Sequence, residues 1–140
     1  MHITELPFNR LIGLSVSDSP AYLLKLSDDV QYTNHVQTVH AAALFALAEG
    51  TCGHFLQIHF EAEAKNMFPL LRKSELKYKK PAKGAIYSKA ELLGSDIDSI
   101  KNELLHKTRL SLLIQVNLYD ENQTQVFQGE FEWFVSKIST

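Results

Sequence analysis

The stretch that most constrains this chain is Asn34 to His59, NHVQTVHAAALFALAEGTCGHFLQIH. From Ala41 to Ala48 its residues are all small or apolar, and they go nearly all the way round a helical wheel. A helix of that kind is buried on every side rather than laid on a surface. Glu49 breaks the pattern. It follows the apolar run directly, with no cation after it at helical spacing to pair with. Burying an unpaired carboxylate is costly, so the group must meet a partner, a solvent channel or a task.

The rest of the composition narrows the class. A chain of 140 residues, 45% hydrophobic, suits one domain spanning residues 1–140 around a single core. The net charge of -2 carries no polycation signature, so nucleic acid is not an implied partner. No basic segment leads into an apolar one at the start. The longest apolar run is too short, and too interrupted by Glu49 and Gly50, to span a bilayer. The expected setting is therefore cytoplasmic. Cys52 is the only cysteine, which excludes an intrachain disulfide and fits a reducing compartment.

In chain order, Ile3 to Ile12 predicts a short helix with Pro7 in its first turns. From Gly13 the apolar period becomes two, through Leu14 and Val16 and, beyond the turn at Asp18 to Pro20, through Tyr22, Leu24 and Leu26. Asp28 to Gln37 reads as a loop delivering the chain to the central helix, with Thr38 its expected N-cap. The amides near His40, Ala41 and Ala42 would then lack helical acceptors and could hold an oxyanion. Phe68 to Tyr78, Ala85 to Leu93, Arg109 to Tyr119 and Val126 to Ile138 read as four strands of a meander, the first two joined by a basic turn from Lys79 to Gly84. Ser95 to Lys107 interrupts them as an amphipathic helix or an ordered excursion. This order argues an α+β domain, an antiparallel sheet wrapped around one long helix.

Asn34, then His40, Ala41 and Ala42, then Glu49 within a run ending LFALAE, resembles the acyl-CoA thioesterases of the hotdog fold. The likeness is nearest to the phenylacetate-pathway type and to related thioesterase-like proteins, and reaches the last strand at Glu132, Trp133 and Phe134. It implies that Glu49 is the nucleophile or the base that activates water. The amide of Ala41 or Ala42 would hold the thioester oxygen, and Asn34 would position the carbonyl or water. Family members often have His-Gly-Gly where His40, Ala41 and Ala42 stand, many have glycine at Gln37, and some have a hydroxyl residue at Gly53.

Geometry places such a site between two subunits. His40 and Glu49 are nine residues apart, about 13 Å along one helix, too far to act on one carbonyl. Two antiparallel copies of the helix across a two-fold axis would bring the start of one beside the middle of the other, so a homodimer is expected. Whether two dimers pair further into a homotetramer stays open. Ala42, Ala46 and Gly53 share the Glu49 face and would leave room for a substrate tail. Lys77, Lys79, Lys80 and Lys83 would meet the phosphates of coenzyme A. No cofactor is required, and neither His35 with His40 nor His54 with His59 has metal-ligand spacing on a helix.

Other readings stand beside these. Glu49 could bond a loop amide, His40 could serve only as a cap, Asn34 could shape its own loop, and the lysines could form a solvated turn. Cys52 reads as core. A non-catalytic acyl-CoA-binding protein would explain the HAA segment, and a hotdog dehydratase or hydratase would pair His35 with Glu49.

Overall fold

The structure, a computed structural model, describes residues 1–138. The expected first helix is two pieces, a 3-10 turn at Ile3–Glu5 and helix α1 at Pro7–Ile12, with Pro7 where the missing N–H costs nothing. α1 ends at Gly13, whose φ of 82° is left-handed and whose missing side chain admits the Tyr32 hydroxyl; an added Cβ would stand 2.6 Å from it. The period-two stretch folds as a small antiparallel pair, β1 (Ser15–Val16) and β2 (Leu24–Leu26), with Val16 opposite Leu24.

The central helix α2 runs over Ala41–His59. Its N-cap is His40, not Thr38. His40 has extended backbone, and its ring Nδ1 accepts from the Ala42 amide at 2.9 Å. The Thr38 hydroxyl is already engaged, accepting from Asn34 Nδ2 at 2.7 Å. Nor is α2 buried all round. Ala43, Leu44, Leu47, Ala48, Thr51, Cys52, Phe55 and Leu56 are buried, but Ala41 and Ala42 are exposed and Phe45, Glu49 and Gly53 half-buried, leaving one open flank.

Four longer elements follow the helix: strand β3 (Met67–Tyr78), strand β4 (Ile86–Leu93), helix α3 (Ile97–His106) and strand β5 (Arg109–Tyr119). Strand β6 (Gln125–Lys137) closes the sheet, whose order is β1-β2-β4-β5-β6-β3. The expected four-strand meander is therefore corrected. β4, β5 and β6 form one, while β3 pairs with the far edge of β6, from Met67 opposite Lys137 to Tyr78 opposite Phe127. The lysine-rich segment after β3 is a crossover rather than a hairpin turn. It is held in place by Lys79, whose amide donates to the Val126 carbonyl, and by buried Ala82, whose carbonyl accepts from the Val39 amide at 2.8 Å.

Along β5, Leu112, Ile114, Val116 and Leu118 face inward, and along β6 Phe127, Phe131, Trp133 and Val135 do the same. α2 lies on this face against β2, β4, β5 and β6. A buried polar junction fixes its register. Thr51 donates to Ser88 Oγ at 2.7 Å, and Ser88 Oγ accepts from the Leu24 amide at 3.0 Å, linking helix, β4 and β2. The amphipathic stretch after β4 is helical, capped by Asp96 on the Ser99 amide at 2.8 Å, with Ile100 and Leu104 buried.

Candidate functional site

Glu49 lies on the open flank of α2, about two turns from its start. Its neighbours one turn away fix its direction. The Phe45 ring stands 5.9 Å from that of Phe131, and Cys52 lies beside the Trp133 indole, so the helix presents Glu49 toward the side of β6 that carries β3. There Leu71, Ser74 and Leu76, the β3 residues opposite Trp133, Phe131 and Gly129, are only half-buried. Among the described residues no donor bonds the Glu49 carboxylate, and burial raises its pKa above the ordinary 4.5. A carboxylate so placed holds a proton more readily than a solvated one and can still ionise. Carboxylates of that kind are chemically able to take up a proton as general bases.

The start of α2 supplies fewer free donors than its sequence suggests. The His40 amide donates to the Tyr32 carbonyl at 2.7 Å, and the Ala42 amide donates to the His40 ring. The amide of Ala41 is left without an acceptor among the described residues. Because His40 Nδ1 accepts, the neutral ring carries its proton on Nε2.

Asn34 builds the approach. Its Oδ1 accepts from the amides of Val36 at 3.0 Å and Thr38 at 3.1 Å, while its Nδ2 holds the Thr38 hydroxyl. The tight loop this closes puts Gln37 at φ 60°, a backbone that favours glycine. His35 is exposed on the same loop. At Gly53 the expected room is filled: an added Cβ would collide with Ile3 Cδ1 and stand 3.0 Å from its Cγ1. Ala46 is buried, so of the three small residues only Ala42 lies open. Lys77 is exposed on β3, and Lys79, Lys80 and Lys83 are exposed on the crossover.

Tyr78 and Ile3 near this flank escaped the sequence reading as site residues, and Trp133 entered it only through the resemblance. Tyr78, at the end of β3, brings its hydroxyl within 3.4 Å of the Ala41 carbonyl, and partial burial raises its pKa. Trp133 is buried with an indole N–H that finds no acceptor of good geometry among the described residues. Ile3 comes from the far end of the chain. Only Tyr78 carried a signal, as an aromatic ending an alternating strand beside the basic segment. Cys52, beneath Glu49, is held as a thiol chiefly by burial and secondarily by the Glu49 charge, with the Trp133 N–H opposing. Among the described residues no three His, Cys, Asp or Glu side chains converge as a metal site, and no helix is long and apolar enough to cross a membrane.

Residues 8–135 match the family described as Domain of unknown function (DUF4442). The chain belongs to that family. No curated protein matches the sequence. Among solved structures, a Pseudomonas aeruginosa protein described as a probable thioesterase is 24% identical, with a TM-score of 0.81 over 97% of this chain and 91% of its own. A Staphylococcus aureus thioesterase is 12% identical, with a TM-score of 0.70 over 94% of this chain and 99% of its own. A Bacillus halodurans protein crystallised with CoA is 13% identical, with a TM-score of 0.64 over 80% of this chain and 69% of its own. Likeness at these identities is likeness of fold. This DUF4442 chain has the hotdog fold, a six-stranded antiparallel sheet around one long helix.

Proposed function

We propose that this chain is an acyl-CoA thioesterase that works as a two-fold dimer. The observation that carries the reading is Glu49, an unpartnered carboxylate raised toward neutrality on the open flank of an otherwise apolar helix. The free Ala41 amide at that helix's start supplies the complementary donor. The two are too far apart on one helix, so the Ala41 of one subunit serves with the partner subunit's Glu49. In S. aureus, the thioesterase of similar fold has been crystallised as a glutamine-to-alanine and as a glutamate-to-alanine variant, at positions fifteen residues apart. The same spacing separates Asn34 from Glu49. The B. halodurans neighbour, with its bound CoA, supports CoA as the thiol carrier.

Water attacks the thioester carbonyl as Glu49 takes its proton, and the Ala41 N–H stabilises the tetrahedral oxyanion. Collapse breaks the C–S bond, the proton passes from Glu49 to the thiolate, and free acid and thiol leave. Asn34 acts by holding the loop that delivers His40 and Ala41. The exposed Lys77, Lys79, Lys80 and Lys83 are placed to meet CoA phosphates. No metal or cofactor enters this chemistry.

The test is thiol release from a panel of acyl-CoAs, comparing the natural protein with Glu49→Gln. Loss of roughly 10²-fold or more in kcat, the lower range for a positioned general base, with assembly intact, is the expected outcome. Tight acyl-CoA binding without turnover would mark a binding protein instead. The capping of the Ala42 amide by His40 is the observation that favours that second reading.

A further inference from the structure

We propose that Ile3 sets the upper limit on acyl chain length. The inference rests on the thioesterase reading and concerns the part of the site that receives the acyl tail. From Glu49 toward the C-terminus of α2, the next residue on that side is Gly53, one turn or about 6 Å on. That distance spans roughly five bonds of extended chain. Gly53 has no side chain to block a tail, but Ile3 occupies the space, with Cγ1 3.0 Å from where a Cβ would stand. Leu56 and Phe60, farther along, are buried, so the flank closes at this point.

Ile3 is firmly held there. Its amide donates to Gln57 Oε1 at 2.9 Å, its carbonyl accepts from Asn9 Nδ2 at 3.0 Å, and Gln57 Nε2 donates to the Met1 carbonyl at 2.9 Å. Glu5 and His2 cap the turn reciprocally, and the rings of His2 and His54 meet at 5.2 Å. Beyond this turn lies an open cavity of about 590 Å³ lined by His2, His54, Gln57, Ile58 and Glu61. Ile3 itself does not line that cavity, but His2, which precedes it, and Gln57, which bonds its amide, do. Shortening Ile3 frees volume beside Gly53 without touching the reacting groups.

The experiment measures kcat/KM over saturated acyl-CoAs from acetyl to dodecanoyl for the natural protein, Ile3→Val and Ile3→Ala, with the oligomeric state of each recorded. The natural protein should favour short chains. Ile3→Ala should raise the ratio of octanoyl to butyryl turnover by about tenfold or more, the scale on which apolar pockets discriminate a methylene. Ile3→Val should shift the ratio in the same direction by less, and it decides the matter if Ile3→Ala does not fold. An unchanged profile in a folded variant, or an equal loss at every length, overturns the role of Ile3 while leaving the thioesterase reading intact. If the natural protein hydrolyses no member of the panel, the thioesterase reading itself fails and this inference falls with it.

Discussion

A carboxylate desolvated without a partner weakens the fold wherever it is ionised. Because burial raises the Glu49 pKa, the folded protein binds this proton more tightly than the unfolded chain does. The sign follows: stability is lost as pH rises from the ordinary value of 4.5 through the raised one, and the penalty is complete above it. Glu49→Gln, which keeps the shape and removes the charge, should therefore melt higher than the natural protein at neutral pH. The difference should vanish below the ordinary carboxylate range. Melting curves across pH test this, and a gap that stays constant would mean that the folded and unfolded states bind this proton equally well. The same titration should make turnover fall on the acid side, since a protonated carboxyl cannot take a proton from water. Glu49 was legible in the sequence because a lone charge in an apolar helix has few physical explanations. The His40 cap was not. An imidazole nitrogen performs the task usually given to Ser, Thr, Asp or Asn, so the sequence favours Thr38, whose hydroxyl is instead bound to Asn34. Ile3 against Gly53 could not be read at all, because a contact between residues fifty positions apart leaves no periodic trace.

At the scale of elements, strand existence was legible and strand order was not. Alternation marks which residues lie inside, and the buried positions of β5 and β6 follow it closely. It does not say which neighbour a strand pairs with. Consecutive strands are adjacent only about two-thirds of the time, and β3 and β4 are among the exceptions. What fixes β4 beside β2 and under α2 is the Ser88 junction, in which one hydroxyl serves the Leu24 amide and the Thr51 hydroxyl with no exposure to solvent. Ser88→Ala removes the acceptor for a buried N–H that water cannot reach. The expected cost is about 1–3 kcal/mol, read by denaturant titration. Thr51→Val should cost less, since the partner it deserts keeps Leu24. If Ser88→Ala proves neutral, the junction is packing rather than polar register.

On the molecular scale, a single chain is incomplete along one side. β3 ends the sheet order, so among the described residues one edge of a 12-residue strand has no partner, and Phe68 and Leu70 on it are 47% and 65% exposed. Long, partly apolar edges recruit other strands unless something covers them. The open flank of α2, with exposed Ala42 and half-buried Phe45 and Glu49, lies on the same side. A second copy related by a two-fold axis would cover both and bring Ala42 close to the partner subunit's Glu49, the arrangement that the proposed hydrolysis requires. Ala42→Glu would then set two carboxylates against each other at each of two equivalent positions, where burial makes repulsion strong. Since Ala42 is exposed in the single chain, the substitution should leave the fold of each subunit intact. Sedimentation should show the natural protein at about twice the 15.9 kDa chain mass and the variant shifted toward the monomer, with thioester hydrolysis lost in parallel. A variant that remains dimeric and active would place the subunit contact elsewhere and would require a site that one subunit completes alone.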